Sequence, residues 1–477
     1  MKYLFFYDET EHSREINYKT INSNNYYDNF ITGIIGWKET DNEEIEKKYL
    51  GFEKEYENRK NSDGELKSQT MNNSDFKYGF ASLNKNKIDF YEKLISLYDE
   101  KVINYFSISS KMEFVISQLL ENYNRPEVNT NLMKYSLIKA INMYKPEKVI
   151  SAIYNSPETF LSELRLFLQD RIIKNQSNID LKSRENSSYE ELLYAIDGID
   201  QLKSLDWAYF TSFEGFKKLL DEMGINDYNL KIDQEGKSMT LNSAKFVGLK
   251  NATEEDSKKY VGIRMADMFV GILSKFMKSF HREISIDYTS GIHKNLLSEK
   301  WFLVNDRQLQ LYKKLYKIIC ENNDYWYKSY AGIYVDDMVM LVAFLRFMNI
   351  FKDAEEIKQR NVEELQEQFN AYACARLDRH FELIGFRNHD LNLYSLSELP
   401  LHNGTNGYEV LYIDFLQETT PVIGVIENHK KVDYILPQVY HRWAIDMVRM
   451  QNMQSDFFPA RVVFRLENGE YDVQILK

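Results

Sequence analysis

A mixed α/β fold, with a helical extension and a small C-terminal α+β region, is what this sequence predicts. Three observations lead there. Short, nearly continuous apolar runs, Tyr3-Leu4-Phe5-Phe6-Tyr7 and Phe30–Trp37, read as buried strands and are separated by stretches of helical period. Asp353–Leu383 is a long, highly charged stretch of helical character. Four of the seven prolines, Pro400, Pro421, Pro437 and Pro459, fall near the end, where Arg461–Lys477 alternates around the hairpin signal Asn468-Gly469.

Composition narrows the function. The 477 residues allow two or three domains, and 44% hydrophobic content lets each bury a core. A net charge of −12 argues against a general nucleic-acid coat protein, because non-specific affinity comes from cations on phosphates. An enzyme with one local basic groove stays open. Two distant cysteines, Cys320 and Cys374, give neither a disulfide framework nor a zinc module. The start lacks a basic region followed by a long apolar stretch, and no apolar run reaches membrane-span length. The expectation is a soluble, cytoplasmic protein with no membrane contact.

Along the chain, the first strand ends abruptly in Asp8-Glu9-Thr10-Glu11-His12. The second, Phe30–Trp37, carries Gly33 and Gly36, which signal a bend or a close backbone approach. Residues 38–85 read as loop or short helix and include Asp63-Gly64-Glu65-Leu66-Lys67, where Asp-Gly marks a turn. Ile88–Tyr98 reads as a helix and Val102–Ile108 as a strand. Helices follow at Lys111–Asn122 and Leu132–Tyr144. Lys148–Tyr154 reads as a short strand, Pro157 as a helix start and Lys174–Ser188 as a solvated connection. Helices at Tyr189–Ile199 and Phe213–Met223 precede Tyr228–Gly236, a second strand whose exit carries acids, Asp233 and Glu235. Val261–Phe276 reads as a strongly apolar helix with Asp267 its only charge between Met265 and Leu273. Trp301–Asn322 and Val335–Phe351 read as further helices, with Asp336 and Asp337 as helix-capping acids. The divisions that follow are 1–290, a helical region over 291–400, and an α+β region over 401–477.

The candidate residues are acids at strand exits, where ligands of open α/β sheets collect. Asp8 and Glu9 can equally serve solubility, Glu65 and Lys67 can be an ordinary charged loop, and Asp233 can be local turn chemistry. Asp267 is the most informative, because a lone carboxylate in an apolar helix is costly unless paired or metal-bound. Its structural alternative is a salt bridge with Arg264 or Lys275. His12 follows the acidic cluster closely enough to support it or transfer protons, with an ordinary surface-loop histidine as the alternative. No P-loop, dinucleotide glycine motif or nucleophile–His pairing is present.

The ordered set Tyr7-Asp8-Glu9-Thr10, Glu65-Leu66-Lys67, Ile232-Asp233 and Met265-Ala266-Asp267-Met268 resembles a bacterial family, the domain of unknown function called thirty-eight hundred. The resemblance covers about residues 1–280 and implies an RNase H-like core carrying a metal-dependent nuclease site. Its site residues would be Asp8, Glu65, Asp233 and Asp267, with Glu9 and Lys67 in support, and its cofactor Mg²⁺ or Mn²⁺. The implied partner is nucleic acid, RNA or DNA, in phage defence or a mobile element. One departure stands out: the family has glycine where this chain has Glu11. If that position needs φ > 0, Glu11 strains the turn. Lys275, Lys278, His281 and Arg282 are candidates for phosphate contacts or an ordinary solvated helix end. The rival is a non-catalytic binding or regulatory protein on the same scaffold, with a protein partner or a second copy engaged through the C-terminal region.

Overall fold

The computed structural model describes residues 1–11, 17–23, 26–121, 123, 130–197, 199, 202, 205, 209–234, 238–284, 296–322, 325–386, 396–401, 407–416, 420–427, 430–452, 458–467 and 470–476. His12, Glu235, Gly236 and the Asn468-Gly469 turn lie outside the described residues. The chain forms two compact units. One comprises Met1–Asn122 and Lys134–Leu377, the other Tyr123–Met133 and Asp378–Lys477.

The first unit is a mixed sheet covered by helices on both faces. Its strands are β1 (Tyr3–Thr10), β2 (Asn29–Lys38), β4 (Ile103–Ser110), β5 (Tyr228–Asp233), β6 (Ala252–Glu255) and β7 (Ser329–Ala331), in spatial order β6-β5-β1-β2-β4-β7. A short strand, β3 (Lys77–Phe80), is not among the six. β2 runs antiparallel to β1 and β4, while β5 is parallel to β1, β6 to β5 and β7 to β4. The carboxyl ends of β1, β4, β5, β6 and β7 therefore share one edge.

Alternation along the strands sorts their side chains. Phe6, Ile31, Ile35, Phe106 and Ile108 face the Val261–Ile284 helix. Phe5, Tyr7, Ile34, Tyr105, Leu230 and Ile232 face the Thr211–Glu222 helix. The Val261–Ile284 helix is apolar almost all round, with Met265, Ala266, Met268, Phe269, Val270, Leu273 and Phe276 all buried, so it lies inside the unit. Its outer side is covered by residues beyond 290. Trp301 stacks on Phe280 at 4.5 Å between ring centroids, and Tyr312 and Phe344 pack beside them. The helices Asp306–Tyr316 and Asp336–Ile350 thus share one apolar core with the first 290 residues.

Glycines let helix and sheet touch. A Cβ on Gly262 would stand 2.2 Å from the Phe6 ring, and one on Gly33 would stand 2.5 Å from Val270 Cγ1. Gly36 is likewise filled by Phe5. The close approach expected at Gly33 and Gly36 is present.

Three local expectations are corrected. Lys148–Tyr154 is not a strand but part of the helix Glu147–Asn155, whose Val149, Ile150 and Ile153 form one buried stripe behind Pro146. Lys174–Ser188 is not a solvated connection. It joins the helices Phe160–Asn175 and Ile179–Ile196, and Asn175 donates to Asn186 inside that junction at 2.8 Å. The charged stretch 38–85 holds a 14-residue helix, Asn42–Glu55, that buries Ile45, Tyr49 and Phe52.

The second unit is an antiparallel sheet of β8 (Tyr408–Leu416), β9 (Thr420–Glu427), β10 (Lys430–Ile435), β11 (Ala460–Glu467) and β12 (Glu470–Leu476), in order β10-β9-β8-β11-β12. Val410, Ile423, Val425, Val462 and Phe464 pack under the His441–Asn452 helix through Tyr440, Ala444 and Met447. No helix among the described residues is long and apolar enough to cross a membrane.

The glycine contacts give a paired test. Gly33→Ala should destabilise the protein by about 1–3 kcal/mol through overpacking. Gly51→Ala, in the Asn42–Glu55 helix with nothing within 4 Å, should stabilise it by roughly 0.5–1 kcal/mol. Urea unfolding of both variants measures the contrast.

Candidate functional site

The carboxyl edge of the sheet collects the acids in a row. Tyr7 pairs with Ile232 across the parallel β1/β5 ladder, so Asp8 and Asp233 leave the sheet side by side. Asp233 pairs in turn with Glu255 on β6, and Asp8 faces Gly33 on β2. Asp8 is 8% exposed, on the side of the sheet that carries the Val261–Ile284 helix. That helix brings Asp267 close enough for its charge to act on the Asp8 carboxyl.

The Glu65–Lys67 loop closes the site from the helix side. Asn61 builds the turn: its Oδ1 accepts from the N–H groups of Asp63 (3.0 Å) and Glu65 (2.9 Å), and Gly64 takes φ +79. Leu66 is fully buried and anchors the loop, which is worth about 1.5–3 kcal/mol. Ser68 then meets Asp267. Its N–H donates to Oδ2 at 2.5 Å and its hydroxyl to Oδ1 at 2.6 Å. Gly271, one turn beyond Asp267, makes the approach possible, since a Cβ there would stand 2.2 Å from Ser68 Cβ.

Lys67 spans the remaining acids. Its Nζ lies 3.2 Å from Asp233 Oδ2 and 3.7 Å from Glu65 Oε2. Glu65 is 6% exposed, and its Oε1 is buried without a hydrogen-bond partner among the described residues. Glu9 occupies the opposite face of β1. There it accepts from Tyr7 Oη at 2.6 Å, beside Thr32 and in turn Ser107 in register. Its N–H donates to Asp8 Oδ1 at 2.7 Å.

Charge follows geometry. Burial, then repulsion from Asp267 and Asp233, pushes the Asp8 carboxyl well above the ordinary aspartate range. Burial also raises Asp267, although the two Ser68 hydrogen bonds, Lys67 and Lys275 pull the other way. Burial would lower the Lys67 ammonium, but Asp233 and Glu65, with Asp8 behind them, hold it above its usual value.

The structural alternative for Asp267 is not realised through Arg264. That guanidinium forms a buried two-bond pair with Glu53 (2.8 and 3.0 Å) and donates to Ser257 O. Asp336 and Asp337 do sit in the first turn of their helix, but their side chains reach further. Asp336 accepts from Tyr135 Oη and Lys139 Nζ, and Asp337 from Tyr27 Oη and Asn29 Nδ2, with His281 Nδ1 at 3.3 Å. Two participants escape a sequence reading. Ser68 follows Lys67 with nothing to mark it except the small Gly271 it packs on. Glu255 ends a four-residue strand too short to recognise.

The donors are all carboxylate oxygens, the hard ligands that Mg²⁺ and Mn²⁺ take. No group of three or more His, Cys, Asp or Glu side chains among the described residues is already spaced to hold an ion. No family model, curated protein or solved structure matches this chain.

Ser68→Ala should destabilise the protein by about 1–3 kcal/mol in urea unfolding, because it strips a donor from a buried carboxylate. Asp8 gives a pH signature in EDTA. Its folded pKa lies above the ordinary 3.8, so between the two values the folded protein holds a proton that the unfolded chain has lost. The stability this proton confers is present at low pH and lost as pH rises through the folded value. Asp8→Asn should therefore gain on wild type as pH rises through that window, measured as the difference in unfolding midpoints.

Proposed function

We propose that this protein is a divalent-metal-dependent phosphodiester hydrolase, a nuclease, built on an RNase H-like core. The observation that carries the reading is the meeting of Asp8 and Asp233 at the carboxyl edge of the sheet with Asp267 from the helix above, where the burial of Asp8 and repulsion from the other two oppose its ionisation. Like charges gathered in this way cost stability, and a fold that needed only solubility would spread them into solvent. The short motifs around Asp8, Glu65, Asp233 and Asp267 support the same reading through the family they resemble.

Asp8, Asp233, Asp267 and Glu65 would hold Mg²⁺ or Mn²⁺, and the unpartnered Glu65 Oε1 is the oxygen most in need of a cation. When bound, such ions supply an activated water and stabilise the leaving oxygen of a phosphodiester. The chain's own residues do the rest. Ser68 orients Asp267, and Lys67 offers its ammonium to a phosphate oxygen as it loosens from Asp233. Glu9 steadies the end of β1 from the far face. The substrate would be RNA or DNA, and the setting a cytoplasmic role in defence or in a mobile element.

A second reading is a non-catalytic scaffold acting through a protein partner or a second copy at the C-terminal unit. It is favoured by how fully the acids are satisfied from within, Asp267 by Ser68 and Asp233 by Lys67. Incubating labelled RNA and DNA with Mn²⁺ separates the two. The nuclease reading expects cleavage that falls at least about a hundredfold in Asp8→Asn and in Asp267→Asn. No cleavage by wild type, or equal cleavage by all three, would select the second.

A further inference from the structure

Beside the carboxylates the Val261–Ile284 helix carries a run of cations. Lys275 lies two turns beyond Asp267 on the same stripe as Gly271, and Lys278 follows one turn later. Lys278 Nζ stands 5.6 Å from the centre of the Tyr27 ring. Lys111, 1% exposed, donates to the carbonyl of the same Tyr27 at 3.0 Å. Three lysines thus converge next to the end of β1. Asp28 acts on Lys111, and it is fixed in place. Its two oxygens are taken by the hydroxyls of Tyr26 and Ser110, the amide of Asn142 and the Met112 N–H.

Besides Asp267 and Asp75, which act on Lys275, a further carboxylate faces them, that of Glu11. It ion-pairs with Lys278 and accepts from Ser274 Oγ at 3.3 Å. To do so Glu11 adopts φ +69, a left-handed backbone that a non-glycine residue takes at a cost. Its neighbours in space are what a phosphodiester oxygen would choose: an ammonium, a hydroxyl and further positive charge. The pair is not sealed in, with Lys278 keeping 31% and Glu11 15% of their side-chain surface.

We propose that Ser274, Lys275 and Lys278, with Lys111 behind them, form a phosphodiester-binding subsite leading to the carboxylates, and that Glu11 fills it as an internal stand-in for phosphate. The inference rests on the nuclease reading of that site. Backbone phosphate entering here displaces Glu11 from Lys278, and the left-handed residue is free to relax. Glu11 is then a brake on substrate binding, set three residues from Asp8.

The test is binding of a fluorescein-labelled, about twelve-nucleotide single-stranded DNA in EDTA, followed by anisotropy across salt concentrations. Glu11→Gln should bind about fivefold tighter than wild type, the value of one modest ion pair. Its salt dependence should steepen by roughly 0.7 in log–log slope for each phosphate gained. Adding Lys275→Ala and Lys278→Ala to Glu11→Gln should erase the gain. Unchanged binding in Glu11→Gln, or a gain that survives loss of both lysines, would overturn the proposal. Glu11→Gly guards against a folding artefact, since it removes the carboxylate while accepting φ +69, and it should tighten binding as Glu11→Gln does. Cleavage with Mn²⁺, run on the same preparations, reports separately on the nuclease reading, because the binding assay needs no metal.

Discussion

The distance between the Val261–Ile284 helix and the sheet governs everything at the end of β1. Gly262 against Phe6, Gly33 against Val270 and Gly271 against Ser68 are three points where a methyl group would not fit. With the helix held that close, Asp267 has nowhere to go but the space beside Asp8. The loop that follows Glu65 is likewise drawn in until Ser68 touches Asp267. Apolar burial around the helix, from Phe269 to Phe280, supplies the favourable free energy for this, at roughly 25 cal/mol per Å². The acids are carried along by the packing.

Their electrostatics show the tension. Asp8 is held toward its neutral form by burial and by two neighbouring aspartates, while Lys67 and Ser68 relieve Asp233 and Asp267. On the nuclease reading, a cation would take over from these internal donors. Glu11 repeats the theme a few residues on, where a side chain of the protein satisfies lysines that suit a polyanion. On the proposed readings, both devices place an internal group where a ligand would stand.

Much of this was legible in the sequence, and the misses have physical causes. The strand exits at Asp8 and Asp233 could be read because an apolar run and an alternating one each end in acids, although solubility or turn chemistry explains either acid alone. Asp267 could be read because its surroundings are so apolar. Gly33 and Gly36 announced close approaches without naming Val270 and Phe5 as what approaches. Arg264 looked like a partner for Asp267 through its i,i+3 spacing, yet Glu53, some two hundred residues away, outcompetes it, and long-range pairing leaves no local trace. Lys148–Tyr154 looked like a strand because β-branched residues dominate a short window, and tertiary burial of Val149, Ile150 and Ile153 decides for a helix. The helices after residue 300 gave no sign that they would join the core above Phe276 and Phe280, because apolar stripes do not specify their partner. Ser68 and Glu255 were invisible since neither residue type nor spacing distinguishes them. The left-handed turn at Glu11 was foreseeable only as a question, and the Lys278 pair is what makes it tolerable.

The central claim is that a buried Asp8, repelled by Asp233 and Asp267 beside it, marks a divalent-cation site. Calorimetric titration of Mn²⁺ over a pH series rising from about 4, in two buffers of different ionisation enthalpy, tests it most directly. Over the pH range in which burial and Asp267 keep the Asp8 carboxyl protonated, a cation entering beside it would displace that proton, so wild type should bind Mn²⁺ with proton release. Asp8→Asn should bind more weakly and release fewer protons. Mn²⁺ binding that is absent, or identical in heat and proton count between wild type and Asp8→Asn, would contradict the account.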